Sequence, residues 1–197
     1  MFNAKLRWLL FGAVFAFSAM AVVAQTTPTP DPKIEKKRQE VRKMANDTLK
    51  RLYKVQPLAK QAVEKAYGYA VFSNTGVKIL VSGTGKGQGI AVSNPDKKET
   101  FMKMFELQAG LGVGVKKFKV IFVFDNERAF NKFVNSGWEF GAQSDAAVKA
   151  GEGKGASVAG AASVSEGVWM YQLTDKGLAL EITAKGTKYT KDDDLNK

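Results

Sequence analysis

The chain has no cysteine and no histidine among its 197 residues, and only five prolines. Without thiols there is no disulfide framework, no thiolate nucleophile and no thiolate zinc site. Without imidazole there is no Ser–His–Asp triad, no His-ligated metal and no imidazole general base. Catalysis would have to rest on carboxylates, lysine, tyrosine or hydroxyls, so the composition argues against an enzyme and leaves a carboxylate- or lysine-based hydrolase as the least favoured class. Negative charge is scarce as well. Thirty Lys and Arg stand against nineteen Asp and Glu, a net charge of +11.

The first residues read as a targeting segment. Lys5 and Arg7 precede an apolar run from Trp8 to Val23, and Val22-Val23-Ala24 presents small residues at the cleavage positions. Sixteen helical residues reach about 24 Å, short of the ~30 Å hydrocarbon core, which favours a cleaved signal over an anchor. Residues 1–24 are therefore expected to be a signal peptide. The mature protein is expected outside the cytoplasm, periplasmic or secreted, peripheral to the membrane. Residues 25–32 (QTTPTPDP) read as a Pro/Thr linker.

The positive charge is uneven. Residues 31–60 hold ten Lys and Arg against four Asp and Glu. A basic helix is predicted over 33–55, stopping near Pro57, with a short second stretch from Leu58 to Ala66. Ile34, Val41, Met44, Ala45, Thr48, Leu49, Leu52 and Val55 share one face. Lys36, Lys43, Lys50 and Lys54 fall opposite, while Lys37, Arg38, Arg42 and Arg51 flank the apolar stripe. Two readings stay open. Either the stripe packs on the domain and the lysines are solvated, or the flanking cations lift their charges into a headgroup layer while the stripe inserts.

A glycine device recurs downstream: Gly83, Gly85, Gly87 and Gly89, then Gly110, Gly112 and Gly114, then Gly151, Gly153 and Gly155. A period of two puts each set on one strand face, where a backbone or ring can approach or the sheet can bend. The spacing is not that of a phosphate loop, since Gly87 follows Lys86 and no helix pattern comes next. Strands are expected at Tyr67–Ser73 before an Asn74-Thr75-Gly76 turn, then at Val77–Val81 and Glu99–Gln108. Val120–Phe124 reads as buried on both faces. Asn126 opens a short helix with Ala129, Phe130, Phe133 and Val134 inward, ending at Gly137. Trp138-Glu139-Phe140, Val168–Leu173 and Leu178–Thr183 follow, the last two joined by a Thr174–Gly177 turn. The fold class is α+β: an N-terminal amphipathic helix plus a curved, Gly-rich antiparallel β-sandwich or barrel-like sheet spanning 67–190, with one short internal helix.

From Ala59 to Asn196 the chain resembles the SYLF domain. The resemblance rests on KAYGYAVF, KILVSGTGKGQGIAV, QAGLGVGVKKFKVIFVF, FNKFVNSGWEFG, the hairpin LTDKGLALEITAKGTKY and the closing DDDLN, in that order. GWEFG, preceded by a short Phe-bearing helix, is the most specific of these. The resemblance implies binding to phospholipids, with phosphoinositides preferred in eukaryotic members, and no enzymatic activity. A basic amphipathic helix contributes to membrane contact in those members, which maps onto residues 33–55 in role alone. Actin regulation in fungal relatives depends on a cytoplasmic context and partly on an SH3 domain, and is not carried over.

Residues 33–197 are thus expected to form a SYLF-like lipid-binding domain without cofactor or metal. Its partner would be an anionic phospholipid surface, engaged through Lys36, Lys37, Arg38, Arg42, Lys43, Lys50, Arg51 and Lys54. No nucleic acid is expected as a partner. The alternatives are a periplasmic binding protein for another anionic polymer, such as lipopolysaccharide or nucleic acid, or a purely structural envelope protein. Asp192-Asp193-Asp194 lacks the spaced loop of a calcium site and reads as a solvated tail. Trp138, Phe140, Trp169 and Tyr171 could stack a ligand, but core packing is the better reading.

Overall fold

The computed structural model describes residues 31–79, 82–109, 114–140, 160–179 and 186–197. The signal-like segment, most of the linker, Gly110, Gly112 and the 151–155 glycines lie outside the described residues.

Helix α1 spans Pro32–Val55, and α2 spans Leu58–Lys65. The Asp31 carboxylate accepts the Lys33 N–H at 2.8 Å, and Pro32 fills the first turn, where no donor is needed. The helix therefore starts one residue earlier than the sequence suggested, because proline is accommodated in its first turn. Among the described residues nine strands follow: β1 (Gly68–Ile79), β2 (Ser82–Ser93), β3 (Glu99–Ala109), β4 (Gly114–Phe124), β5 (Trp138–Phe140), β6 (Ala162–Ser165), β7 (Val168–Thr174), β8 (Gly177–Ala179) and β9 (Thr187–Lys191). Helix α3 (Glu127–Ser136) lies between β4 and β5. Its Asn126 cap accepts the Ala129 N–H at 2.9 Å, and Gly137 ends it at φ +70°.

All described strands form one antiparallel sheet in the order β5-β9-β3-β2-β1-β4-β7-β6, with β8 beside β7. The α+β architecture is as expected, with the sheet curled into a half-barrel rather than folded into a two-sheet sandwich. One local expectation fails. Asn74-Thr75-Gly76 is not a turn but the middle of β1, paired with Gly87, Lys86 and Gly85 of β2. Asn74 points inward and donates its side-chain amide to the buried Glu106 carboxylate, which holds the strand straight where the dipeptide pattern suggested a reversal.

The run Val120–Phe124 is buried throughout and feeds two cores. Val120, Phe122 and Phe124 join Phe72, Met102, Met104, Tyr189 and the α3 residues Phe130 and Phe133 on the inner face. Ile121 and Val123 join Val71, Ile90, Phe101 and Tyr171 on the outer face, beneath α1 and α2.

The curl is measurable. Strand β9 is three steps from β1, about 14 Å on a flat sheet at ~4.8 Å per step. Yet the Tyr189 and Phe72 rings lie 4.7 Å apart, and Trp138 of β5 comes within 5.4 Å of Phe122 of β4. The glycines of β2 line this bend. A Cβ at Gly89 would strike the Phe72 ring and the Val71 carbonyl, and one at Gly87 would strike the Ser73 carbonyl. Bare backbone on the concave side is what lets the rings of distant strands meet.

Candidate functional site

Helix α1 lies across the outer face, and its apolar stripe is occupied. Val41, Ala45, Leu49 and Leu52 are buried against the sheet, with Ala59 and Val63 of α2 beside them. Thr48, also buried, returns its hydroxyl to the Met44 carbonyl at 2.7 Å. Of the two readings of this helix, packing against the domain is the arrangement present. Among the described residues no helix is long and apolar enough to cross a membrane.

The arginines expected beside a headgroup layer are tied inward. Arg38 donates to the carbonyls of Leu195 (2.9 Å) and Lys197 (2.6 Å). Arg42 bridges Glu99 (2.8 Å) and Glu35 (3.0 Å), and its guanidinium sits 5.2 Å from the Phe101 ring centroid. The two carboxylates push its already high pKa further up, with the hydrogen bond to Glu99 as the leading cause. Arg51 reaches the carbonyls of Thr174 and Asp175 at the β7–β8 turn. These three are struts at the start, middle and end of the helix.

The lysines are placed differently. Lys36, Lys37, Lys43, Lys50 and Lys54 are all exposed. Lys43 pairs with Asp47 at 2.6 Å, one turn on. Its ammonium holds the Asp47 carboxyl below the usual range, helped by Lys50 and by Lys119 of β4. Lys36, Lys37, Lys50 and Lys54 make no ion pair among the described residues. The eight expected positions thus separate into an outward lysine ridge and an arginine set that holds the ridge in place.

The strand lysines were largely missed. Helix α1 covers one half of the outer face. The other half shows Lys86 on β2, Lys103 and Phe105 on β3, and Lys117 and Lys119 on β4. Lys86, Lys103 and Lys117 are exposed, and Lys119 is half-buried. The signal was available, since Lys86 stands between Gly85 and Gly87, and Lys117 and Lys119 flank the inward Phe118. Only registration of four strands brings these side chains onto one surface. Where this surface meets α1, Met44, Ser73, Lys86, Gln88, Lys103 and Asp192 line an open cleft of about 440 Å³.

Other candidates resolve into structure. Asp192 binds Lys103 at 3.2 Å and caps the Asp194 and Leu195 N–H groups, so the acidic run is a turn rather than a cation loop. No group of carboxylates fit to hold a metal occurs among the described residues. Trp138 lies in the inner core and Tyr171 in the outer one, so they do not share a stacking surface. Trp169 donates to Asp125 at 2.8 Å, and the Phe140 side chain lies outside the described positions. A 280 Å³ cavity between α3 and the β6–β7 turn has Phe133, Trp138 and Val168 at its floor and Arg128 and Lys132 at its rim. Burial pushes the Tyr53 and Tyr171 phenols up to about 12, and raises Tyr189 as well.

The chain is similar to known proteins at two levels. A family model named Ysc84 and described as "Las17-binding protein actin regulator" matches residues 105–197. Beta cell expansion factor A of Aeromonas veronii is 37% identical over 168 residues, covering 85% of this chain and 62% of that protein. The chain therefore spans about three-fifths of the length of that curated relative.

Proposed function

Since the Ysc84 model that matches residues 105–197 describes the SYLF family, to which this chain belongs, we propose that it is a non-enzymatic protein that docks on anionic phospholipid headgroups at a membrane surface outside the cytoplasm. One observation carries the reading. Helix α1 has its apolar stripe committed to the sheet, its arginines committed to the domain, and four lysines on its outer side without an ion pair. A cationic ridge of this kind offers contact without insertion. Each lysine near an anionic surface contributes ~1 kcal/mol, so four give roughly 4 kcal/mol, equivalent to a Kd of about 1 mM. The contact is therefore electrostatic, and salt screens it. The export-type residues 1–24 support the location, and the family's general character supports the absence of catalysis. Actin regulation, named in the family description, requires a cytoplasmic setting, and the export-type pattern of residues 1–24 speaks for a different one.

Flotation with phosphatidylglycerol/phosphatidylcholine vesicles tests it. The mature chain should float with anionic vesicles at low salt, fail with pure phosphatidylcholine, and lose binding as salt rises. Charge reversal of Lys36, Lys37 and Lys50 to Glu should weaken flotation while leaving the melting temperature near that of wild type. Equal flotation of that variant and wild type on anionic vesicles would overturn the assignment to α1. A duplex-DNA shift stronger than vesicle binding would favour the polymer-binding alternative.

A further inference from the structure

The ridge on α1 is not enough by itself. Four lysines at about fivefold each supply only a weak attachment, and a single helix meeting a plane along one line does not fix how the molecule sits. A second contact is needed, and the other half of the outer face provides it. In the ladder, Phe105, Lys86, Thr75 and Lys117 stand side by side across β3, β2, β1 and β4. The adjacent row is Lys103, Gln88, Ser73 and Lys119. Four lysines occupy eight neighbouring positions with no acidic residue among them. No two of these lysines stand directly opposite: Lys117 and Lys119 are neighbours along β4, ~6.8 Å apart, and Lys86 and Lys103 are diagonal neighbours on β2 and β3. The positive charge is therefore spread over the patch.

The acidic groups that approach do so from the borders. Asp192 takes Lys103, Asp47 lies near Lys119, and Glu139 on the edge strand stands opposite Lys188. Lys86 and Lys117 have no ion-pair partner among the described residues. Between Lys86 and Lys188 in the register stands Phe105, 41% exposed, an aromatic ring on a surface where packing does not require one. Helix α1 packs on the adjoining part of the outer face, and the 440 Å³ cleft lies where Met44 of the helix meets Ser73, Lys86 and Lys103 of these rows.

We propose that this uncovered half-face is a second docking surface for an anionic phospholipid bilayer, with Lys86 and Lys117 meeting headgroup phosphates and Phe105 entering the headgroup layer. The inference rests on the lipid-binding reading above and extends it from one helix to a plane. The bilayer spans the α1 ridge and the Phe105 end of the sheet, and the corner cleft lies beneath it. Charge complementarity supports the occupant. The form of the surface favours a bilayer over a nucleic acid, since single-stranded chains are held by successive stacking rings, and these two rows carry one. Lysines are point charges suited to scattered phosphates, and the ring supplies the interfacial anchor.

Two independent measurements test it on the mature chain. Lys86→Glu with Lys117→Glu should weaken partition onto phosphatidylglycerol vesicles at low salt by about thirtyfold or more while leaving the melting temperature near wild type. If that pair misfolds, Lys86→Gln with Lys117→Gln tests the charges without reversal, with a loss of about twenty-fivefold expected at about fivefold per charge. The absence of cysteine allows a single label. Phe105→Cys carrying an environment-sensitive dye should shift its emission to the blue on vesicles and be quenched by a headgroup-level lipid nitroxide. The same dye at Asn131→Cys, on α3 against the opposite face, should remain in water.

The outcomes separate the two ideas. If wild type does not bind anionic vesicles, the functional reading itself fails. If binding depends on the α1 lysines while the Lys86/Lys117 variant binds like wild type and the label at 105 stays wet, this inference fails and the functional reading stands. If the Lys86/Lys117 variant loses an oligonucleotide shift but keeps vesicle binding, the half-face is a nucleic-acid surface and the proposal is overturned.

Discussion

The side-chain amide of Asn196 takes both backbone groups of Phe101, accepting its N–H at 3.0 Å and donating to its carbonyl at 2.7 Å. A side chain thus stands in for a strand at the edge of β3. The same Nδ2 also donates to the Asp192 carbonyl at 2.8 Å. Next to it, Leu195 is buried in the outer core and its carbonyl receives Arg38.

Asn196→Ala removes three hydrogen bonds and leaves the Phe101 N–H without its partner, while the Phe101 carbonyl keeps the Asp192 N–H at 3.0 Å. It should lower unfolding free energy by about 1–3 kcal/mol in urea titration. Leu195→Ala, opening space under α1, should cost about 2–3 kcal/mol. Wild-type midpoints for both would show that the segment is not fastened in solution.

Leu52→Glu places a carboxylate where the side chain is fully buried against the sheet. Such a charge has no partner there, so the variant should unfold or lose its sharp thermal transition. A folded Leu52→Glu protein with weakened vesicle binding would mean that α1 leaves the sheet to insert.

Gly89→Ala and Gly87→Ala should each destabilise by about 1–3 kcal/mol, because the added methyl meets backbone or a packed ring on the inside of the bend. Gly85→Ala should cost less. Its Cβ would meet the side chains of Asn74 and Glu106, at 2.7 and 2.8 Å, and side chains can move where a carbonyl cannot. Chemical denaturation of the three variants gives the ranking directly.

Alkaline stability should fall in a defined window. Tyr53 and Tyr171 ionise near pH 12 when folded, chiefly because burial disfavours the phenolate, against about 10 when unfolded. The native state therefore keeps protons that the unfolded chain releases. The stability this contributes is complete below pH 10 and is lost between about 10 and 12. Phenolate absorbance tracked with thermal melts checks it: both tyrosines titrating near 10 in folded protein would contradict their burial.

Much of this was legible along the chain. Both caps of α3, the inward set Phe130, Phe133 and Val134, and the two-faced burial of Val120–Phe124 follow from local patterns that tertiary structure did not override. The period of the β2 glycines announced a bare strand face, though not which ring would fill it. The 74–76 reversal misled because Asn-Thr-Gly is turn chemistry by composition, and its answer lay in Glu106, thirty-two residues away. The basic surface was half visible. A helix displays its charges in one wheel, so the α1 lysines could be found from spacing. Lys86, Lys103, Lys117 and Lys119 come from three strands, and their neighbourhood exists only in the register of the sheet.

Arg38 and the Leu195 carbonyl are separated by 157 residues, so the fastening of α1 is complete only once a distant segment of the chain is in place. Until then Val41, Leu49 and Leu52 are uncovered, and Arg38, Arg42 and Arg51 are free to swing outward. The unfinished molecule is then a stronger amphiphile than the finished one. A bilayer present while the chain folds competes with the sheet for the same stripe of α1, and a helix captured that way would resist salt. Whether a preparation meets membranes before or after it completes its core therefore decides which of two attachments is measured, from one sequence and with no change in its charge.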